Sequence, residues 1–278
     1  MIRIFSILIG LFFTSALVWS FGNGAYNQYA DPAPASAEEE FHLHPKPLKL
    51  ASDGVMGHFD RQQVQRGFQV YQEVCATCHA LKLVAYRDLA ALGYSEAEVK
   101  AIALKATIAG KDAITGEVKD RPGMPSDHFP PVTYAGQGSP PDLSLIAKSR
   151  EGGAAYVRSL LTGYAEQAGY KNAEGKFLLT EFKDLASPSG THFNPYFANL
   201  NIAMPPPLTA DGQVTYAPGN PKPTVDQMAQ DVSAFLVWTA EPKLEKRHQT
   251  GLAVLGFLIF ATILAYMAYR NVWAGKKH

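Results

Sequence analysis

The chain has 278 residues, 47% of them hydrophobic and 18% charged, enough for one sizeable domain or two. Its 25 basic and 25 acidic side chains cancel, which excludes the strongly basic field of a nucleic-acid binder, and the apolar content excludes a disordered chain. Two cysteines are too few for a disulfide-stapled fold or a four-thiolate metal site.

Arg3 precedes an apolar run from Ile4 to Trp19, the layout of a secretory signal or of a retained membrane segment, assigned to residues 1–22. Either outcome exports the middle of the chain. Residues 23–58, rich in Pro, Ala and Glu, read as an extended lead-in, with Glu38, Glu39 and Glu40 a solvated charge run. The main domain is placed at 59–248. Its first helix starts at Asp60, capped with Gln63, and carries Val64, Phe68, Tyr71 and Cys75 on one stripe. Ser95 and Glu98 open a second helix running to Ile108. Residues 109–143, broken by Arg-Pro-Gly, Phe-Pro-Pro and Ser-Pro-Pro, read as loop. A helix is expected over Gly153–Thr162, then loops over 163–223 with a short hairpin near Phe177–Thr180. Thr224 and Gln227 cap a helix from Val225 to Ala240, which Glu241-Pro242 stops.

The last apolar run, Thr250 to Tyr269, is twenty residues without a charge and spans roughly 30 Å as a helix, one hydrocarbon thickness. It defines a transmembrane anchor at 249–270, with Tyr266, Tyr269 and Trp273 at an interfacial depth and a basic tail at 271–278. An exported middle puts residues 38–248 outside and the tail inside. The exterior is mildly acidic, with about three more acidic than basic residues.

Loops this long in a compact domain need something to wrap around. Cys75-Ala-Thr-Cys78-His79 follows the first helix, and positions i, i+3 and i+4 share one helical face. Two thiols and an imidazole on one face suit a covalently attached haem c, with thioether bonds from Cys75 and Cys78 and His79 on the iron. A redox cysteine pair would want a βαβ context, and a zinc site further cysteines; neither is present. The second axial ligand separates an electron carrier from an oxygen-reactive haem. Met56 lies in the lead-in and Met228 on a core stripe, while Met124 and Met204 sit in proline-stiffened loops. Three prolines after Met204 lower the entropy cost of holding a flexible thioether, which favours Met204 over Met124. Histidines 58, 128 and 192 are the remaining alternatives.

Five segments then carry a family resemblance: RGFQVYQEVCATCH (66–79), RPGMPSDHFP (121–130), PPDLSLIAKSREGGAAYVRSLLTGY (140–164), FNPYFANLNIAMPPPL (193–208) and TVDQMAQDVSAFLVWTAEPK (224–243). In this order, followed by an anchor, they resemble bacterial-type cytochrome c1, the haem-bearing subunit of the cytochrome bc1 complex. The resemblance implies a mainly α, class I cytochrome c-like haem domain with long ordered loops and a C-terminal transmembrane helix. It implies one haem c, held by Cys75 and Cys78, with His79 the proximal and Met204 the distal ligand. Arg150 and Tyr156 would lie near the haem propionates, and Pro140-Pro141 along the haem edge. Implied partners are cytochrome b, a Rieske iron–sulfur protein, a soluble or membrane-anchored cytochrome c, and the lipid bilayer. The haem domain would face the periplasm from the bacterial inner membrane and the C-terminus the cytoplasm, with no substrate chemistry on this chain. Some bacterial relatives carry an additional cysteine pair, absent here. The rival readings are an anchored cytochrome c serving an oxidase directly and a haem enzyme with an open distal side.

Overall fold

A computed structural model describes residues 2–32, 34–111, 116–136 and 138–276. The elements in chain order are α1 (Ile2–Ala30), α2 (Ala37–Phe41), α3 (Arg61–Val70), a π turn (Tyr71–Cys75), a 3-10 helix (Tyr86–Leu92), α4 (Glu96–Leu104), β1 (Thr107–Lys111), β2 (Val118–Pro122), α5 (Ile146–Ser149) and α6 (Gly153–Leu161). They continue with α7 (Leu178–Glu181), a 3-10 turn (Lys183–Leu185), β3 (His192–Phe193), β4 (Asn201–Ile202), α8 (Val225–Ala240) and α9 (Leu244–Trp273). Helices dominate and the strands form two small antiparallel pairs, as expected of a mainly α haem domain wrapped in loops.

The core forms where α3 crosses α8. Gly67 lets the two backbones touch: a Cβ there would lie 2.0 Å from the Asp231 carbonyl oxygen. Phe68 packs against Tyr94, Phe129 and Phe235, and Phe235 stacks on Trp238. Beside this contact the Arg66 guanidinium grips the fully buried Asp231 carboxylate with two bonds, at 2.9 and 3.1 Å. A second pair, Arg158 to Asp226, ties α6 to α8.

The predicted caps form. Asp60 accepts the Gln63 N–H, Thr224 accepts the Gln227 N–H, and Ser95 and Glu98 exchange both arms of a capping box. The second helix, however, ends at Leu104 instead of Ile108, because Thr107 and Ile108 enter a hairpin. There β1 pairs with β2 from Thr107↔Pro122 to Lys111↔Val118, within a stretch expected to be loop. The Arg121 side chain lies over Gly110, where a Cβ would meet its Nε at 2.8 Å. Arg121 also clamps Asp127 with two bonds, at 2.7 and 2.8 Å, and Asp127 accepts the Met124 N–H. The guanidinium and that N–H hold the Asp127 carboxyl down at about 2. A depressed carboxyl contributes stability above its unfolded value near 4 and loses it as pH falls towards about 2. Asp127→Asn is therefore expected to lower the unfolding midpoint at pH 7, with the difference from the parent closing between pH 4 and pH 2 in acid titrations.

Two further expectations change. Phe177–Thr180 is not a hairpin: Phe177 makes one bridge to Lys171, and the chain then turns into α7 to bury Leu178 completely. The lead-in is not simply extended. Its first residues prolong α1 to Ala30, and Ser36 and Glu39 form the capping box of α2. Glu40 pairs with Lys176 at 3.2 Å, and Phe41 is buried with Leu178, Phe193 and Leu200 in a second, smaller core. The glutamate run thus carries a cap and an ion pair.

Helices α1 and α9 are long and apolar enough to cross a membrane, with mean hydropathy 2.1 and 2.2 and apolar windows exposed throughout. The apolar part of α9 starts as expected, but the helix itself begins earlier, at the buried Leu244. Glu245 accepts the Phe59 N–H at 2.8 Å, and the His248 ring bonds the Gly57 carbonyl. The apolar segment therefore leaves the domain as one continuous helix. Lys277 and His278 of the basic tail, and Met1, lie outside the described residues.

Candidate functional site

Helix α3 passes without a break into the π turn, whose wider loop closes through the Ala76 N–H on the Tyr71 carbonyl at 2.8 Å. Such single π turns are frequent at functional sites. The Cys78 and His79 N–H groups then both donate to the Cys75 carbonyl, at 3.1 and 2.9 Å. One closed turn thus carries both thiols and the imidazole. Burial, with the Cys78 thiol nearby, pushes the Cys75 thiol up to about 12. Neither cysteine is in a disulfide.

His79 is held from two sides. Its Nδ1 lies 2.8 Å from the Pro141 carbonyl oxygen, and the Tyr71 hydroxyl donates to the His79 carbonyl at 3.0 Å. A carbonyl can only accept, so the ring proton sits on Nδ1 and the lone pair on Nε2. The segment around Pro141 is laced to the residues just after His79. Asp142 accepts the Lys82 N–H, the Leu143 N–H donates to Ala80, and the buried Ser144 hydroxyl accepts the Leu83 N–H. Pro141 itself is exposed, and the contact it makes is through its carbonyl. Tyr71→Phe removes one tether and is expected to cost about 1 kcal/mol of stability in denaturant unfolding.

The four methionines separate cleanly. Met228 is fully buried in α8, while Met56 and Met124 are 75% and 48% exposed. Met204 is partly buried and packs on the main core, as do Cys75 and Tyr156. Its carbonyl accepts the Tyr164 hydroxyl at 3.0 Å. His58 and His128 are exposed; His192 is half-buried, edge-on to Tyr164. Arg150 is exposed, and its guanidinium works against the larger upward push of burial on the Tyr156 phenol, so the two lie within electrostatic reach. The structure thus bonds His79 to Pro141 and seats Cys75, Tyr156 and Met204 on one core.

Sequence reasoning missed the Asp142–Ser144 lacing, the Tyr71 tether and Tyr164. Asp142 and Ser144 form an Asp-x-Ser turn after two prolines, a local signal that points to a fixed loop but not to its partner.

The donor set fits a haem. Two unpaired thiols share a turn with an imidazole whose free nitrogen is fixed by a bond to its other nitrogen, the arrangement that orients metal-ligating histidines. Among the described residues no group of three or more His, Cys, Asp and Glu side chains could hold a metal ion, so the imidazole stands without a zinc-type cluster.

The family model described as the Cytochrome C1 family matches residues 50–276. The cytochrome c1 of Rhodospirillum rubrum is 43% identical over 235 residues, covering 81% of this chain and 86% of that protein. The cytochrome b-c1 complex catalytic subunit of Candida albicans is 37% identical over 264 residues, covering 91% and 86%. The cytochrome b/c1 protein of Bradyrhizobium diazoefficiens is 41% identical over 246 residues, covering 81% of this chain and 35% of a longer one. The Cys-x-x-Cys-His turn, the ordered loops around it, the long apolar C-terminal helix and a match across most of the sequence converge, and the chain belongs to the cytochrome c1 family, the c-type haem subunits of bc1 complexes.

Proposed function

We propose that this chain carries one covalently attached haem c and relays single electrons from a Rieske iron–sulfur protein to a soluble or membrane-anchored cytochrome c. The setting is a quinol–cytochrome c oxidoreductase that also holds cytochrome b. A relative whose name joins cytochrome b to c1 supports that partner. When bound, a haem supplies a one-electron iron centre whose potential follows its axial ligands and surroundings.

The chain's own residues do the rest. Cys75 and Cys78 anchor the porphyrin edge through thioethers, and His79 presents Nε2 to the iron because Pro141 holds the Nδ1 proton. Met204 would supply a second ligand through its sulfur. Arg150 and Tyr156 face the propionates with a guanidinium and a phenol. The observation that carries this reading is the His79–Pro141 bond on the Cys75–His79 turn, because it leaves one nitrogen aimed away from the protein's own hydrogen bonds.

Residues 59–248 are the haem domain, facing the periplasm of a bacterial inner membrane; 249–270 anchor it in the bilayer and 271–278 lie in the cytoplasm. Residues 1–22 are a signal or a retained second span, and 23–58 lead in. At the inner end of α9, Tyr269 packs on Trp273 and Lys276 lies over the Trp273 ring at 5.3 Å, an aromatic and basic cluster suited to a membrane interface.

The test is direct. The purified chain is expected to keep haem on a denaturing gel, to gain the mass of a single haem, and, when reduced, to resist carbon monoxide. Loss of haem on denaturation, or prompt carbon monoxide binding by the parent, would overturn the reading.

A further inference from the structure

Beyond the ligands themselves, the geometry points to Tyr164 as the positioning residue of the distal loop, fixing the Met204 backbone so that its sulfur stays on the iron. This rests on Met204 being the distal ligand, proposed above. Pro205, Pro206 and Pro207 come directly after Met204, and none has an N–H to donate, so this triplet can only accept, as the Pro207 carbonyl does from the Gln213 side chain at 2.8 Å. The Met204 carbonyl takes its bond from a side chain forty residues earlier, the Tyr164 hydroxyl at 3.0 Å. Tyr164 is itself well placed to hold still. Just before it, Gly163 packs so tightly that a Cβ would lie 2.3 Å from the Tyr196 ring, and the His192 ring meets the Tyr164 ring edge-on at 6.5 Å.

Packing alone does not confine the loop here. A cavity of about 620 Å³ opens among Tyr164, His192, Ser187 and Pro206, so a loop released from the hydroxyl has room to swing. The Tyr164 hydroxyl is the side-chain donor on the Met204 carbonyl itself. Without it the thioether spends more time off the iron. Loss of one net hydrogen bond corresponds to roughly a fivefold rise in the open fraction, about 1 kcal/mol.

The test uses the haem-loaded full chain in detergent, with every reading taken per bound haem so that a poor yield does not blur it. Tyr164→Phe keeps the ring and removes only the hydroxyl. It is expected to bind carbon monoxide roughly fivefold more readily when reduced, to weaken the methionine-to-iron absorption band and to lower the midpoint potential. Ser187→Ala is the structural comparison, removing a hydroxyl from the same cavity wall that bonds Gln167 and Asn201 and does not touch Met204. It is expected to match the parent. Parent-like readings for Tyr164→Phe, or equal shifts in both variants, would overturn the positioning role while leaving the ligand assignment intact. If instead Met204→Leu leaves the absorption band in place, the ligand reading itself fails and this inference falls with it.

Discussion

Met204→Leu is expected to abolish the methionine-to-iron absorption band, open the reduced iron to carbon monoxide and drop the midpoint potential by on the order of 0.1 V or more, within the roughly 0.8 V that axial ligation spans. A thioether is a soft, neutral donor that favours the reduced iron, and leucine offers no donor at all. The swap is nearly volume-conserving and should cost less than about 1.5 kcal/mol in packing, so a collapsed fold would not be the cause. Met124→Leu is the matched comparison. Met124 is 48% exposed, and its bonds to Asp127 are made by its backbone, the N–H donating to the carboxylate and the carbonyl accepting the Asp127 N–H. All three readings are expected to stay at the parent's values in that variant. If the effects fall on Met124 and spare Met204, the distal assignment is wrong.

The Cys75–His79 turn was legible because its spacing is local: five consecutive residues at the end of a helix set two thiols and a ring on one closed turn. The caps at Asp60, Ser95 and Thr224 were legible for the same reason. The features that escaped were held by distant partners. The bond from Pro141 to His79 spans 62 residues, and Phe41 is buried only because Leu178, Phe193 and Leu200 come back to meet it. The β1–β2 hairpin escaped because Gly and Pro in 109–123 signalled loop, whereas two ladder edges and the Arg121–Asp127 clamp hold it in strand form. The choice among methionines shows both sides. Proline stiffening singled out Met204 from sequence, but the hydroxyl that ties down its carbonyl belongs to an element no periodicity connects to it.

Gly67→Ala, the smallest change available at the α3–α8 crossing, is expected to destabilise the haem domain by about 3 kcal/mol or more, at the upper end of what overpacking costs. Helix propensity argues the other way, since alanine is about 1 kcal/mol better than glycine in a helix interior. The contact must therefore outweigh the local preference. The added Cβ would lie 2.0 Å from the Asp231 carbonyl oxygen, 2.6 Å from its carbon and 2.7 Å from the Phe235 Cβ. None of these is the free end of a flexible side chain. Moving α8 away would pull the buried Asp231 carboxylate from Arg66 and part Phe235 from Phe68 and Tyr71. Moving α3 instead would drag the π turn, and with it Cys75 and His79, off the Pro141–Ser144 segment that fixes the imidazole. Either way the cost reaches the site. Denaturant unfolding of the haem-loaded protein should show a lower midpoint, and haem staining of membranes a smaller yield. An unfolding midpoint equal to the parent's would mean that the two helices can part at this crossing without loss, and that the glycine does not set the position of the attachment turn.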